Sequence, residues 1–185
     1  ALPILASQGI PVYCTSRTGY FSATEIVTVL NYLKVCDNPL QDIPLMGVLR
    51  SPIVGCTSRE LAELRIQYPD GLLYESVSAY AGENEILEKE QNPDKLKSEL
   101  LNGNLRTDEK NSLNIKLKGF LSLLEKVRNM AAYTPVHELI LYVLKETGYG
   151  DYARALPGGE QRFANLTMLV EKAMDYEKTS YRGLF

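Results

Sequence analysis

The stretch Arg50-Ser-Pro-Ile-Val-Gly-Cys-Thr-Ser-Arg59 carries residue types whose spacing suits a charged ligand. Thr57-Ser-Arg-Glu60 has the form of a capping box, in which hydroxyl and carboxylate each meet a free N–H of a helix start. A helix is therefore expected to open just after Thr57. The unpaired N–H groups at such a start can bind phosphate. Gly55 would allow close approach, and Arg50, Ser51, Thr57, Ser58 and Arg59 would add donors around it. A plainer reading fits the same residues: a corner between two helices, with Thr57 satisfying the free donors.

Other chemistries find little support. A phosphate-wrapping Gly-x-x-x-x-Gly-Lys-Ser/Thr loop is absent from the sequence, as is the Gly-x-Ser-x-Gly turn of a serine nucleophile. His137 is the single histidine, in the first turn of an amphipathic stretch, and reads as a packing or surface residue. Glu83, Glu85, Glu88 and Glu90 form a charge run, which is more commonly a solvated face than a rigid metal site. Glu25 reads as a cap partner of Ser22 in Ser22-Ala-Thr-Glu25, the second pattern of the same kind. Cys14, Cys36 and Cys56 form no Cys-x-x-Cys pair, so neither a zinc site nor a redox motif is expected, and all three read as reduced thiols of a cytoplasmic protein. Twelve tyrosines with no tryptophan suggest helix faces covered by rings whose hydroxyls reach water. The expected sites are thus catalytic none, cofactor none and metal none, with weak candidates for DNA contact at Arg50, Ser51, Gly55, Thr57, Ser58 and Arg59.

The net charge of −3 argues against a chain that holds nucleic acid mainly through its overall field, so any such contact must be local. Apolar residues make up 45%, enough for a globular core. No apolar run approaches the ~18 residues needed to span a bilayer, so no membrane partner is expected. The sequence starts without Met and stops on the apolar Gly-Leu-Phe185, which reads as a piece of something longer.

The elements that would position these residues are mostly helices. Gly9-Ile-Pro-Val-Tyr-Cys14 predicts one short strand near the start. Ile26, Val29, Leu30 and Leu33 make a helical stripe that Asn38-Pro39 ends. Asp42 is expected to cap a second helix, with Pro44 in its first turn. Leu61 and Leu64 face inward from the helix after Thr57, and Leu72–Ala81 predicts another short helix. From Gly82 to Ser112 charged and amide residues dominate, which suggests a partly helical excursion or linker. Leu113–Ala132 is the longest helical pattern. Thr134-Pro135 opens the next helix, with Thr as cap, and Gly148 is placed to end it in the left-handed conformation. Glu160–Glu177 follows the Pro157-Gly-Gly159 loop as the last helix. The fold class is mainly α, with about six to eight helices and one or two short strands near the N-terminus.

Longer patterns carry a resemblance. Gly9-Ile-Pro-Val-Tyr, Gly19-Tyr-Phe, Asn38-Pro39, Gln41-Asp-Ile-Pro-Leu and Leu49-Arg-Ser-Pro-Ile-Val-Gly55 closely resemble the AddA subunits of bacterial AddAB helicase–nucleases. Thr147-Gly-Tyr, Leu156-Pro-Gly-Gly-Glu-Gln-Arg162, Ala164-Asn-Leu166 and Tyr176-Glu-Lys-Thr-Ser-Tyr-Arg-Gly-Leu-Phe185 resemble the same family. The segment from about Gly82 to Ser112 carries little of it. More distantly the chain is similar to UvrD, PcrA and RecB helicases, in which a helical accessory subdomain, 2B, is inserted into the second motor domain.

The resemblance implies the organisation: residues 1–22 at the edge of that motor domain, 23–81 and 113–185 as two helical parts of the 2B-like region, 82–112 as the excursion between them. It implies a parent that uses ATP and Mg to unwind and degrade DNA from double-strand ends for recombinational repair. Double- and single-stranded DNA and an AddB-type subunit would be the partners. The fragment itself would guide DNA or contact the partner, without catalytic residues. In UvrD-like enzymes a Gly-Ile-Gly turn meets duplex phosphates. The matching place here is Val54-Gly55-Cys56, with one glycine retained. A stand-alone helical interaction module, and the 2B region of a UvrD-type helicase without a nuclease, are the alternatives.

Overall fold

Apolar side chains recurring every three or four residues set the helices, and turn residues separate them. The computed structural model describes residues 19–90 and 106–178, with the backbone alone for 83–90 and 106–111. Among these residues there are eight α-helices, a 3-10 turn at Tyr20–Ser22, and no strand. The helices are α1 (Thr24–Asp37), α2 (Asp42–Arg50), α3 (Ser58–Gln67), α4 (Leu73–Glu90), α5 (Arg106–Ala131), α6 (Val136–Thr147), α7 (Tyr149–Ala155) and α8 (Gly159–Glu177). The strand expected over Gly9–Cys14 lies outside the described residues. Helices α4 and α5 both reach into the stretch that the sequence marks as polar. No described helix is long and apolar enough to cross a membrane.

Helix α1 lies between two cores. Tyr32, Val35 and Cys36 join a first core with Leu45, Val48 and Leu49 of α2, Leu61 and Leu64 of α3, Val77 of α4, and Leu117, Phe120 and Leu124 of α5. Ile26, Val29 and Leu33 join a second, smaller core with Ile140 of α6, Tyr149 and Ala153 of α7, and Leu166, Leu169 and Val170 of α8. Burial on two sides explains why eight of the fourteen residues of α1 are buried. Helix α6 is divided in the same way, with Leu139 and Val143 in the first core and Ile140 in the second.

The helix starts depart in part from the expected caps. Thr57 forms its capping box: its Oγ1 accepts from the Glu60 N–H at 3.2 Å, and Glu60 Oε2 accepts from the Thr57 N–H at 2.6 Å. The box expected at Ser22 does not form. The chain is turned there by the 3-10 geometry, Ser22 Oγ donates to the Gly19 carbonyl at 2.8 Å, and Ala23 stands at the N-cap. Glu25 is drawn elsewhere, as described below. Asp42 does not cap its own helix but is its first residue. Its Oδ1 accepts from the Leu73 N–H at 2.9 Å and so caps α4. At α6 the N-cap is Pro135, not Thr134, and the carboxylate of Glu177 accepts the His137 N–H at 3.0 Å. Gly148 ends α6 at φ 63°, in the left-handed conformation expected of it. Helix α7 is too short to show a periodic stripe, and the sequence patterns do not predict it.

Candidate nucleic-acid interface

The candidate residues Arg50, Ser51, Gly55, Thr57, Ser58 and Arg59 meet at the corner between α2 and α3. The corner is built inward first. Ser51 is buried, its hydroxyl donating to the Val48 carbonyl at 2.7 Å and accepting from the Ile53 N–H at 3.3 Å. Its carbonyl takes the N–H groups of Val54 and Gly55. The Cys56 N–H donates to the Leu49 carbonyl at 2.9 Å, and the Cys56 side chain packs into the first core. Burial, with the nearby Glu60 charge, pushes the Cys56 thiol up to about 11, so it stays protonated at neutral pH. Cys56 thus anchors the turn to the core directly after Gly55.

Glu60 ties this corner to α5. Its carboxylate, in a residue 8% exposed, lies 2.8 and 3.0 Å from the Lys116 ammonium. Burial alone would raise its pKa, but the hydrogen bonds from Lys116 and Thr57 outweigh that and hold it below the ordinary carboxylate value. Thr57 Oγ1 is occupied by the capping box, so it shapes the corner.

What faces outward is small and cationic. Gly55 sits exposed at φ +74°, with open space where a side chain would be. That conformation favours glycine and leaves the backbone bare. The Arg50 guanidinium donates to Ser58 Oγ, and both residues are exposed. Arg59, its side chain 66% exposed, pairs with Glu63 one turn on at 3.2 Å. The Ser58 N–H, at the first helical position, has no intrahelical acceptor by helix geometry. The corner therefore offers two guanidinium groups, a hydroxyl and a helix start over a rigid base. Such donors suit an anion. Among the described residues no group of three or more His, Cys, Asp or Glu could hold a metal ion. Cys36, like Cys56, is a buried free thiol, pushed up by burial to about 12.

One polar site is not foreseen from the sequence. Glu25, 4% exposed, accepts from Arg162 Nη1 at 2.9 Å and from Asn165 Nδ2 at 2.7 Å, joining the start of α1 to α8. Tyr20 completes the tie by donating to the Asn165 carbonyl at 2.9 Å. The available signal was a carboxylate next to the apolar stripe of α1, since a buried carboxylate needs a charged or hydrogen-bonding partner. His137 is structural too, its Nδ1 lying 2.5 Å from Glu177.

Residues 3–184 match the family described as the UvrD-like helicase C-terminal domain. The chain is similar to the AddA proteins of bacterial ATP-dependent helicase/nucleases. It is 42% identical to that of Bacillus velezensis, 44% to that of Bacillus cereus and 41% to that of Thermoanaerobacter sp., in each case over 98% of this chain and 13% of the relative.

Proposed function

We propose, from the premise that this chain belongs to the UvrD-like helicase C-terminal domain family, that it is an accessory region of an ATP-dependent DNA helicase/nuclease subunit. In this reading it carries no catalytic residues and guides duplex DNA at the α2–α3 corner. The ATP and Mg sites, the nuclease centre and most contacts to single-stranded DNA and to an AddB-type subunit would belong to the parent. The observation that carries the reading is the match over 98% of the chain to helicase/nuclease subunits, at a length that is 13% of theirs. The corner adds the local chemistry. Arg50, Ser58 and Arg59 supply donors around Gly55, and Ser51 and Thr57 hold the shape. Phosphate contacts of this kind position a duplex without reading its sequence.

The test uses the intact parent. Arg59→Glu should weaken binding to duplex ends and slow unwinding while leaving ATP turnover on single strands nearly intact. Unwinding equal to wild type under elevated salt would make the corner purely structural.

A further inference from the structure

Carboxylates crowd the helix start that the proposed duplex contact uses. Glu60 and Glu63, in the first two turns of α3, line a groove of about 170 Å³ together with Thr57, Arg59 and, from α5, Ser112. An acidic side chain is ordinary in a first turn, because it meets the partial positive charge of the helix end. The same charge repels a phosphate arriving from outside. Glu60 is ionised at neutral pH: burial would raise its pKa, but the hydrogen bonds from Lys116 and Thr57 outweigh that and keep it below the ordinary carboxylate value. Charges closer than the Debye length, about 8 Å at physiological salt, are little screened. The charge of a first-turn residue therefore weighs on any phosphate held at the corner.

Arg50 and Arg59 bring two positive charges to the corner, and Glu60 and Glu63 bring two negative ones. Arg59 is moreover paired with Glu63 at 3.2 Å. By themselves these four cancel, and Lys116 is the surplus. It reaches in from α5, 56 residues along the chain, and its ammonium lies 2.8 and 3.0 Å from the two carboxylate oxygens of Glu60. Both side chains are largely withdrawn from water. Glu60 Oε2 still accepts the Thr57 N–H at 2.6 Å, so the ammonium cancels the charge without pulling the carboxylate out of the capping box. The chain as a whole is acidic, with a net charge of −3, so no distant field takes the place of this one cation. We propose that Lys116 is a positioning residue of the duplex contact: it acts through Glu60 and not by touching DNA, and by cancelling the carboxylate at the helix start it gives the α2–α3 corner the positive charge that holds a phosphate. The inference rests on the reading of that corner as the duplex contact.

The test measures binding of a labelled blunt-ended duplex to the full-length protein without ATP, by fluorescence anisotropy at several salt concentrations, with melting temperatures recorded alongside. Lys116→Gln leaves the carboxylate uncompensated and should weaken binding about threefold to tenfold. Glu60→Gln keeps an oxygen for the Thr57 N–H, so the cap remains, and it leaves the ammonium in excess. It should tighten binding by a similar factor and steepen the salt slope. The double variant returns the corner to its native charge and should bind within about twofold of wild type. A pair that only braces α3 against α5 predicts otherwise, since loss of a brace does not tighten binding. Weaker or unchanged binding in Glu60→Gln, unchanged binding in Lys116→Gln, or a double variant no better than Lys116→Gln would overturn the proposal. Arg59→Glu separates it from the reading beneath. If that variant weakens binding and Glu60→Gln does not tighten it, the role of Lys116 alone fails. If Arg59→Glu binds like wild type, the corner does not meet the duplex and both fall.

Discussion

The carboxylate of Glu60 accepts the Thr57 N–H at 2.6 Å and the Lys116 ammonium at 2.8 Å, and Glu177 accepts both the N–H and the ring of His137. At both sites burial pushes the pKa up, and the hydrogen bonds overcome it and bring it below the ordinary value. A group whose folded pKa is depressed stabilises the fold above its unfolded pKa, and that contribution is lost as pH falls through the folded one. Stability should therefore decline as pH drops below about 4.5, the ordinary range of a glutamate. Glu60→Gln and Glu177→Gln should each flatten that decline in urea melts run from neutral to acid pH, and an unchanged slope in both would mean that neither pair forms in solution. The two Ser/Thr-x-x-Glu patterns give a further contrast. Thr57→Ala removes a working cap and should cost roughly 0.5–2 kcal/mol. Ser22→Ala touches an exposed residue outside any cap and should stay within about 0.5 kcal/mol. Equal losses in urea unfolding would show that the Ser22 box forms after all.

Helix positions were legible because an apolar stripe is a local pattern, and so were the Thr57 box and the Gly148 stop, which use neighbours in sequence. What could not be read locally are partners brought in by folding. Asp42 caps a helix 31 residues away, Glu177 serves one 40 residues back, and Glu25 meets Arg162 across 137 residues. The Pro157-Gly-Gly159 loop was legible as a turn but not as a constraint. Gly158 takes φ 72° ahead of α8, and a Cβ on Gly159 would lie 1.7 Å from the Arg154 carbonyl oxygen. No rotamer relieves a clash of Cβ with backbone, so α7 and α8 must separate. Gly159→Ala should cost more than about 4 kcal/mol, in the exceptional range for a single substitution. Since α8 carries Arg162 and Asn165, the tie to Glu25 should fail with it. A melting temperature within a few degrees of wild type would show that the α7–α8 corner can open freely.

The molecule as a whole is acidic, with a net charge of −3, and its cationic corner is a small part of its surface. That the corner gathers hydrogen-bond donors was readable from Thr57, Gly55 and the two arginines. Its limits were not, because the hydrogen bonds that occupy Ser51, Gly55, Cys56 and Thr57 depend on how the turn closes. An acidic chain gives no long-range attraction to a polyanion, and the proposed contact at the corner would neutralise about one or two phosphates. Each phosphate neutralised changes the logarithm of the binding constant by about −0.9 per tenfold rise in salt. The isolated chain is thus expected to bind duplex DNA with a dissociation constant in the upper micromolar range or weaker, with a salt slope between about −1 and −2. Fluorescence anisotropy with a labelled duplex at several salt concentrations measures both. Arg59→Glu should remove most of what binding there is, since it places a carboxylate where a guanidinium stood. A slope steeper than about −4, or affinity untouched by Arg59→Glu, would mean that another surface of the chain meets the DNA and that the corner at Gly55 only joins two helices.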